Sequence, residues 1–387
     1  MPDGREGLVL RQMGGIARIA AEDWDACAGT DNPFVSHAFL RVLEESGSAS
    51  PQTGWVACHL VVSDGEGYVL GVAPLYAKSH SFGEYVFDWG WADAWERAGG
   101  RYYPKLQCAV PFTPVPGPRL LVRPEARGTA VEVLLARGMM QLASEAKWSS
   151  AHVTFCSRQE AELLARQGWL MRIGEQYHWH NQDYESFADF LATLSSRKRK
   201  AIRKERERAN DQGLAIRTLA GDDIKARHWD AFYRFYLDTV ERKYAEAYLT
   251  RDFFHHLGTA LGDKVVLIVA EDGARMVAGA LNLLGTDALF GRNWGAEVDA
   301  PFLHFEMCYY RAIDFAIANR LARVEAGAQG EHKISRGYLP VPTYSAHWIR
   351  EAPLKAAVAD FLERERLVVA VDIAERQRLG PYRHDPE

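Results

Sequence analysis

Gly330-Glu331-His332-Lys333-Ile334-Ser335-Arg336-Gly337-Tyr338 joins two strand patterns, Arg323–Ala328 and a longer one through His347-Trp348. Upstream, Phe302–Leu321 reads as a helix. The first half of the chain holds an echo of this order. Thr129–Lys147 reads as a helix and His152–Cys156 as a strand; Arg166-Gln167-Gly168-Trp169 then leads into a strand through His178-Trp179. Gly168 and Gly337, Trp169 and Tyr338, His178 and His347, and Trp179 and Trp348 share one offset of 169 residues (337 − 168, 338 − 169, 347 − 178, 348 − 179). Four matches in register beside the same helix–strand order imply a duplicated unit.

Length agrees: 387 residues are long for one core and comfortable for two. A charged fraction of 25% is that of an ordinary globular chain, and a net charge of −5 gives no global attraction to nucleic acid or anionic lipid. The five cysteines are scattered with no C-x-x-C pair, which points to reduced thiols and against a structural metal site. The opening Met1–Glu6 lacks the basic start of a secretory signal, and apolar runs such as Val265–Ala270 are strand-sized. The expected location is cytoplasmic, with no transmembrane segment and with the inner face of the membrane as an alternative.

Along the chain, Ser36–Glu45 reads as a helix capped by Ser36, and Asp64-Gly65-Glu66-Gly67 as the turn of a hairpin. Lys78–Gly117 is rich in glycine, proline and aromatics and reads as a long ordered loop. The second half reads as β-α-α-β-β-β-α-β-α-β, with Asp222–Lys243 and Thr250–Leu261 as its first two helices. Ala352–Arg366 and Val371–Arg378 read as two closing helices. The expected fold class is α/β with mixed sheets and two tandem domains, 1–183 and 214–387, joined by a basic connecting helix at 184–213.

This order is similar to the acyltransferase domain of the GNAT superfamily, and a tandem pair resembles the Fem-type transferases. Leu194-Ser195-Ser196-Arg197-Lys198-Arg199-Lys200-Ala201-Ile202-Arg203-Lys204 resembles the Fem pattern Arg-x-x-Ile-(Arg/Lys)-Lys. Lys333-Ile334-Ser335-Arg336-Gly337 matches the spacing of the Fem Lys-(x)3-Gly element. Asn32-Pro33-Phe34, Pro74–Asp88 and Tyr102-Tyr103-Pro104-Lys105 look like a bacterial family of Fem-like N-acyltransferases.

The resemblance implies transfer of an acyl group from an activated carrier to an amine, either a small molecule or a lipid or peptidoglycan precursor. The carrier is a co-substrate, acyl-CoA or aminoacyl-tRNA, with no tightly bound cofactor and no metal. Where GNAT enzymes place a glycine-rich pyrophosphate turn, this chain has Glu125-Ala126-Arg127-Gly128 and Ala296-Glu297-Val298-Asp299. Acids at that turn favour the tRNA carrier. Arg197 to Arg208 carries eight cations against two glutamates, which fits either a solvated helix or a tRNA contact. A non-catalytic binding protein of the same fold is the reading from another class.

Acyl transfer to an amine needs a proton acceptor and a group that stabilises the oxyanion. Lys333, following the last crossover strand, suits the second need. His80, Glu84 and Asp88, spaced i, i+4, i+8, lie on one side of the chain in helical or extended form, and Glu84 leads as the base. Tyr85, Tyr103, Lys105, Arg292, Trp294, His304, Glu325, Arg336 and Tyr338 are the expected substrate-binding residues. Glu325 stands out because an acid inside an apolar strand is costly unless paired or used.

Overall fold

The computed structural model describes residues 7–242, 246–327 and 330–383. The strand and helix ends expected at Ala328 and Lys243, and the first six residues, lie outside that set. From the N-terminus come β1 (Val9–Met13), α1 (Ala21–Ala28), α2 (His37–Glu45), β2 (Trp55–Ala57) and β3 (His59–Ser63). They are followed by β4 (Val69–Ala73), β5 (Leu75–Lys78), α3 (Trp89–Arg97), β6 (Lys105–Cys108) and β7 (Leu121–Val122). Then come α4 (Ala130–Glu145), β8 (Ser150–Cys156), α5 (Arg158–Arg166) and β9 (Leu170–His180).

The second half holds α6 (Phe187–Thr193), α7 (Ser196–Asn210), β10 (Ala215–Ala220), α8 (Ala226–Arg242), α9 (Arg251–Ala260) and β11 (Val265–Asp272). β12 (Arg275–Leu284) and β13 (Ala288–Ala296) lead to α10 (Leu303–Phe305), a π turn at Glu306–Tyr310 and α11 (Arg311–Ala318). β14 (Arg323–Glu325), a 3-10 turn at Glu331–Arg336, β15 (Leu339–Ile349) and α12 (Ala352–Arg378) complete it.

The chain forms two compact units, and neither is continuous in sequence. The first comprises Met1–Gly174 with Pro342–Ala370, the second Glu175–Val341 with Val371–Glu387. In the first unit β1, β3, β4 and β7 make one antiparallel sheet. A second layer runs β2-β5-β6-β8, with β6 and β8 parallel, and is completed by the end of β15, where His347 faces His152. In the second unit β10 to β13 are antiparallel neighbours, β13 and β14 run parallel, and β14 pairs with the end of β9. Each copy thus donates its final strand to the unit built from the other.

The duplication extends to the strand limits. β9 and β15 are both 11 residues long, and 339 − 170 and 349 − 180 both give 169. Gly168 and Gly337 take φ of 86° and 93°, a left-handed conformation that only glycine adopts without strain, and each turns the chain into its long strand.

Packing follows the apolar pattern. β8 is buried over all seven residues, because it is covered on both faces and paired on both edges. The first core gathers Leu60, Val62, Leu75, Leu135, Met139 and Val153, and the second gathers Trp179, Phe190, Tyr310, Ile313 and Val324.

Three local expectations change. Lys78–Gly117 contains α3 and β6 rather than loop alone, because Lys105 at the start of β6 is drawn into an ion cluster that orders the segment. The helix expected at Phe302–Leu321 is interrupted by the π turn. The closing helix is a single one, since no glycine or proline stands between Leu354 and Arg378 and Asp360–Arg364 and Asp372–Arg376 pair one turn apart. No helix among the described residues is long and apolar enough to cross a membrane.

Candidate functional site

In the second unit β13 and β14 stay together for three rungs, Ala288 with Arg323, Leu289 with Val324 and Phe290 with Glu325. β13 runs on to Ala296 while β14 stops, so the parallel ladder ends at Phe290 and Glu325. On the other side of β13 the pairing with β12 shifts register between Ala280 and Asn282. Glu325 is therefore the last rung on one edge, and on its other edge it faces His178 of β9.

Glu325 and His178 are both buried. Glu325 Oε1 accepts a 2.8 Å hydrogen bond from Arg323 Nε. Its Oε2 lies 3.7 Å from His178 Nε2, and neither atom has a hydrogen-bond partner among the described residues. Burial pushes the Glu325 carboxyl up to about 7 against the pull of Arg323. Burial, assisted by His180, Arg323 and Lys333, pushes His178 down to about 3, which keeps its imidazole neutral at physiological pH.

Lys333 stands in the 3-10 turn, is 4% exposed, and donates to the carbonyls of Ala326 and, at 3.1 Å, Gly327. These carbonyls directly follow Glu325, so cation and carboxylate attend the same strand end. Burial lowers the Lys333 ammonium to about 8, and among the described residues it makes no ion pair. Its Nζ lies 5.8 Å from the Tyr177 ring centroid.

An aromatic group lines the π turn nearby. The His304 ring lies 5.3 Å from Trp294, 5.4 Å from Tyr309 and 6.1 Å from His332, and Tyr309 Oη is 3.0 Å from His332 Nε2. Trp294 and Arg292 sit half-buried on the stretch of β13 that β14 does not cover.

Two of the expected substrate-binding residues are engaged within the protein. Arg336 is buried, bidentate to Glu205 of α7 and stacked 3.5 Å from the Phe305 ring centroid. Tyr338 is fully buried and donates to the Tyr309 carbonyl at 3.1 Å.

The first unit holds a second ionic cluster. Lys105 is 0% exposed and donates to Ser81 Oγ and Glu84 Oε2 at 2.7 Å each and to Asp88 Oδ2. All three ammonium protons are used. Tyr102 donates to Asp88 at 2.7 Å, and Tyr103 Oη lies 2.8 Å from Ser81 Oγ.

Burial would raise both carboxyls. It carries Glu84 to about 7, whereas Lys105 and His152 outweigh it at Asp88 and hold that group well below the usual range. Lys78 stacks 3.7 Å from the Trp55 ring centroid, and burial lowers it to about 7. His152 Nδ1 lies 2.7 Å from His347 Nδ1.

Of the three groups expected to face a substrate together, Glu84 and Asp88 converge on Lys105 as an interior ion cluster. Each ends up inward because the paired charges lose less by burial than either would alone. His80 accepts from the Phe82 amide at 3.2 Å, and Tyr85 is exposed at a φ of 60°. The sequence reading missed His178, Arg323, Lys78 and His152. His178 had a signal, since it belongs to one of the four pairs in the 169-residue register.

The sequence matches the model of the FemAB-like family, described as peptidoglycan biosynthesis/recognition, over residues 15–384. The fold is similar to the crystal structure of FemX at 11% identity, with 90% of this chain and 100% of that one covered and a TM-score of 0.54. It is also similar to L-PGS from Bacillus licheniformis at 11% identity, covering 86% of this chain and 98% of that one with a TM-score of 0.52. A tandem GNAT protein from the clavulanic acid biosynthesis pathway matches at 11% identity over 88% of this chain and 98% of that one, with a TM-score of 0.44. No curated protein matches the sequence. At such identities the structural likeness speaks to the fold alone. The chain belongs to the FemAB-like family, and its mixed α/β fold is similar to that of FemX.

Proposed function

We propose that this FemAB-like protein is an N-acyltransferase whose reacting centre is the opening beside Glu325 and Lys333 in the second unit. The observation that carries the reading is Lys333: a buried ammonium with no counter-ion among the described residues, fixed by two backbone carbonyls at the end of the crossover strand. A cation held that way is positioned for charge that develops only as a reaction proceeds. When an amine attacks the acyl carbonyl, the C–N bond forms and the carbonyl oxygen becomes an oxyanion. The Lys333 ammonium stabilises it, and collapse breaks the bond to the carrier.

The carrier in this proposal is an acyl-CoA thioester, as in GNAT enzymes. A specific observation also supports aminoacyl-tRNA. The link from β13 to α10 runs through Glu297 and Asp299 without a glycine turn, and a phosphate set against these acids meets like charge. Beside that link lies α7, whose Arg208 stacks 4.8 Å from the Phe302 ring centroid and whose Arg197, Lys200, Arg203 and Lys204 are exposed. A phosphate backbone would find its cations there. The family description supports a peptidoglycan-precursor amine as acceptor, which would put the work in the cytoplasm near the membrane.

Melting curves of the full chain with acetyl-CoA, palmitoyl-CoA and total tRNA test the carrier, because a ligand bound to the native state raises its melting point. K333M should keep the carrier's shift and lose transfer by a factor of about 100 or more. Unchanged transfer in K333M would overturn the reading, and carrier binding without transfer in the native chain would favour a binding protein.

A further inference from the structure

We infer that Glu325 Oε2 and His178 Nε2 together seat the primary ammonium of the acceptor. This rests on the transfer reading above, and it assigns His178 a positioning role that the sequence patterns do not suggest.

The pair is unusual as interior chemistry. Both side chains are more than nine-tenths buried, the two atoms are 3.7 Å apart, and neither has a hydrogen-bond partner among the described residues. A buried acceptor left without a donor is destabilising, so such atoms persist where something else completes them. The neighbours do not complete this pair. Arg323 spends Nε on Glu325 Oε1 and Nη1 on Asp287, and Lys333 is directed to the carbonyls of Ala326 and Gly327.

With Glu325 ionised and His178 neutral in the Nδ1–H tautomer, both atoms can only accept. One incoming group must then offer at least two N–H or O–H donors. A primary ammonium offers three. An alcohol offers one, and a quaternary ammonium none. The seat therefore selects a primary amine in its cationic form over a hydroxyl acceptor.

The first unit shows carboxylates holding a primary ammonium that the chain itself supplies, Lys105. There Asp88 and Glu84 accept from the Lys105 ammonium, and the nearby His152 bonds instead to Ser150 and to His347, the 169-residue counterpart of His178. An ammonium of the chain itself fills that site, whereas among the described residues no ammonium reaches Glu325 Oε2.

The chemistry balances. Glu325 takes one proton from the ammonium, and the freed lone pair attacks the acyl carbon. The bond to the carrier breaks, and the leaving group takes the second proton shed by the nitrogen. Glu325 then returns its proton to solvent.

The test reads binding without turnover. The native full chain is melted at pH 8 with n-butylammonium, tetramethylammonium or n-butanol, and the same series is run on E325Q and H178Q. The melting point should rise with n-butylammonium alone. The apparent affinity should fall about tenfold or more in E325Q and severalfold in H178Q, while the carrier-induced shift persists in both. It should also fall in the native chain as the pH drops below about 7 and Glu325 takes up a proton. An equal response to butanol, or an undiminished butylammonium response in either variant, would overturn the seat. Loss of transfer in K333M belongs to the other reading and leaves this one standing. Intact butylammonium binding in a chain that transfers nothing would sink the transfer reading instead.

Discussion

At the scale of single residues, the two ionic clusters differ in what replacing a charge should do. Lys105 holds Glu84 and Asp88 in the interior, so K105M strands two buried carboxylates; a loss of 3–5 kcal/mol is expected, checked by denaturant unfolding at pH 7. Glu325 is the opposite case. Its folded pKa of about 7 lies above the ordinary 4.5, so the native chain binds between those values a proton that the unfolded chain sheds. Stability from this group is lost as pH rises through that window, and the deficit is complete above it. E325Q should therefore be more stable than the native chain at pH 8, on the order of 2 kcal/mol, with the gap closing near pH 4.5. Melting points at the two pH values check this, and a destabilised E325Q at pH 8 would contradict it. In the sequence Glu325 was legible as an acid inside an apolar strand. Its partner was not, because His178 is brought beside it only by a pairing between residues 147 positions apart (325 − 178).

At the scale of elements, the duplicated glycines separate backbone strain from crowding. Gly168 and Gly337 have nearly the same left-handed φ, but a Cβ at Gly168 meets nothing within 4 Å, while one at Gly337 comes within 2.7 Å of the Phe190 ring. G168A should cost about 1–2 kcal/mol, the strain alone. G337A should cost at least twice that, because Phe190 is fully buried and has little room to yield. Unfolding of the two variants side by side checks the ratio, and equal losses would show that Phe190 repacks freely. The register of these turns was legible because glycine, aromatic and His-Trp recur at one offset. α3 and β6 were not legible. Their apolar residues lack a sustained period, and what orders them is the Lys105 cluster, whose members come from residues 81 to 105.

At the scale of the whole molecule, the tandem order was legible but the exchange of final strands was not, since periodicity marks a strand without naming its neighbour. The exchange has a consequence for where the chain can be cut. The first unit includes Pro342–Ala370, and β8 is flanked on one edge by β15, with His152 and His347 bonded across 195 residues of sequence. A fragment ending at residue 183 keeps every residue of the first copy and loses that edge. It also loses Ile349, Leu354, Val358 and Leu362, which cover Trp91 and Tyr102. An unpaired, apolar central strand is an aggregation template, so the fragment should lack a cooperative melting transition and precipitate. Co-expression with 184–387 supplies residues 342–370 and should recover soluble material that melts cooperatively. Were residues 1–183 to melt cooperatively on their own, at the temperature of the intact chain, the first unit would not depend on β15. The two copies would then be independent domains joined end to end. Pairing across such separations is also slow to form, so refolding of the intact chain should lag behind that of α/β domains with local pairing, a lag that stopped-flow fluorescence of the buried tryptophans would time.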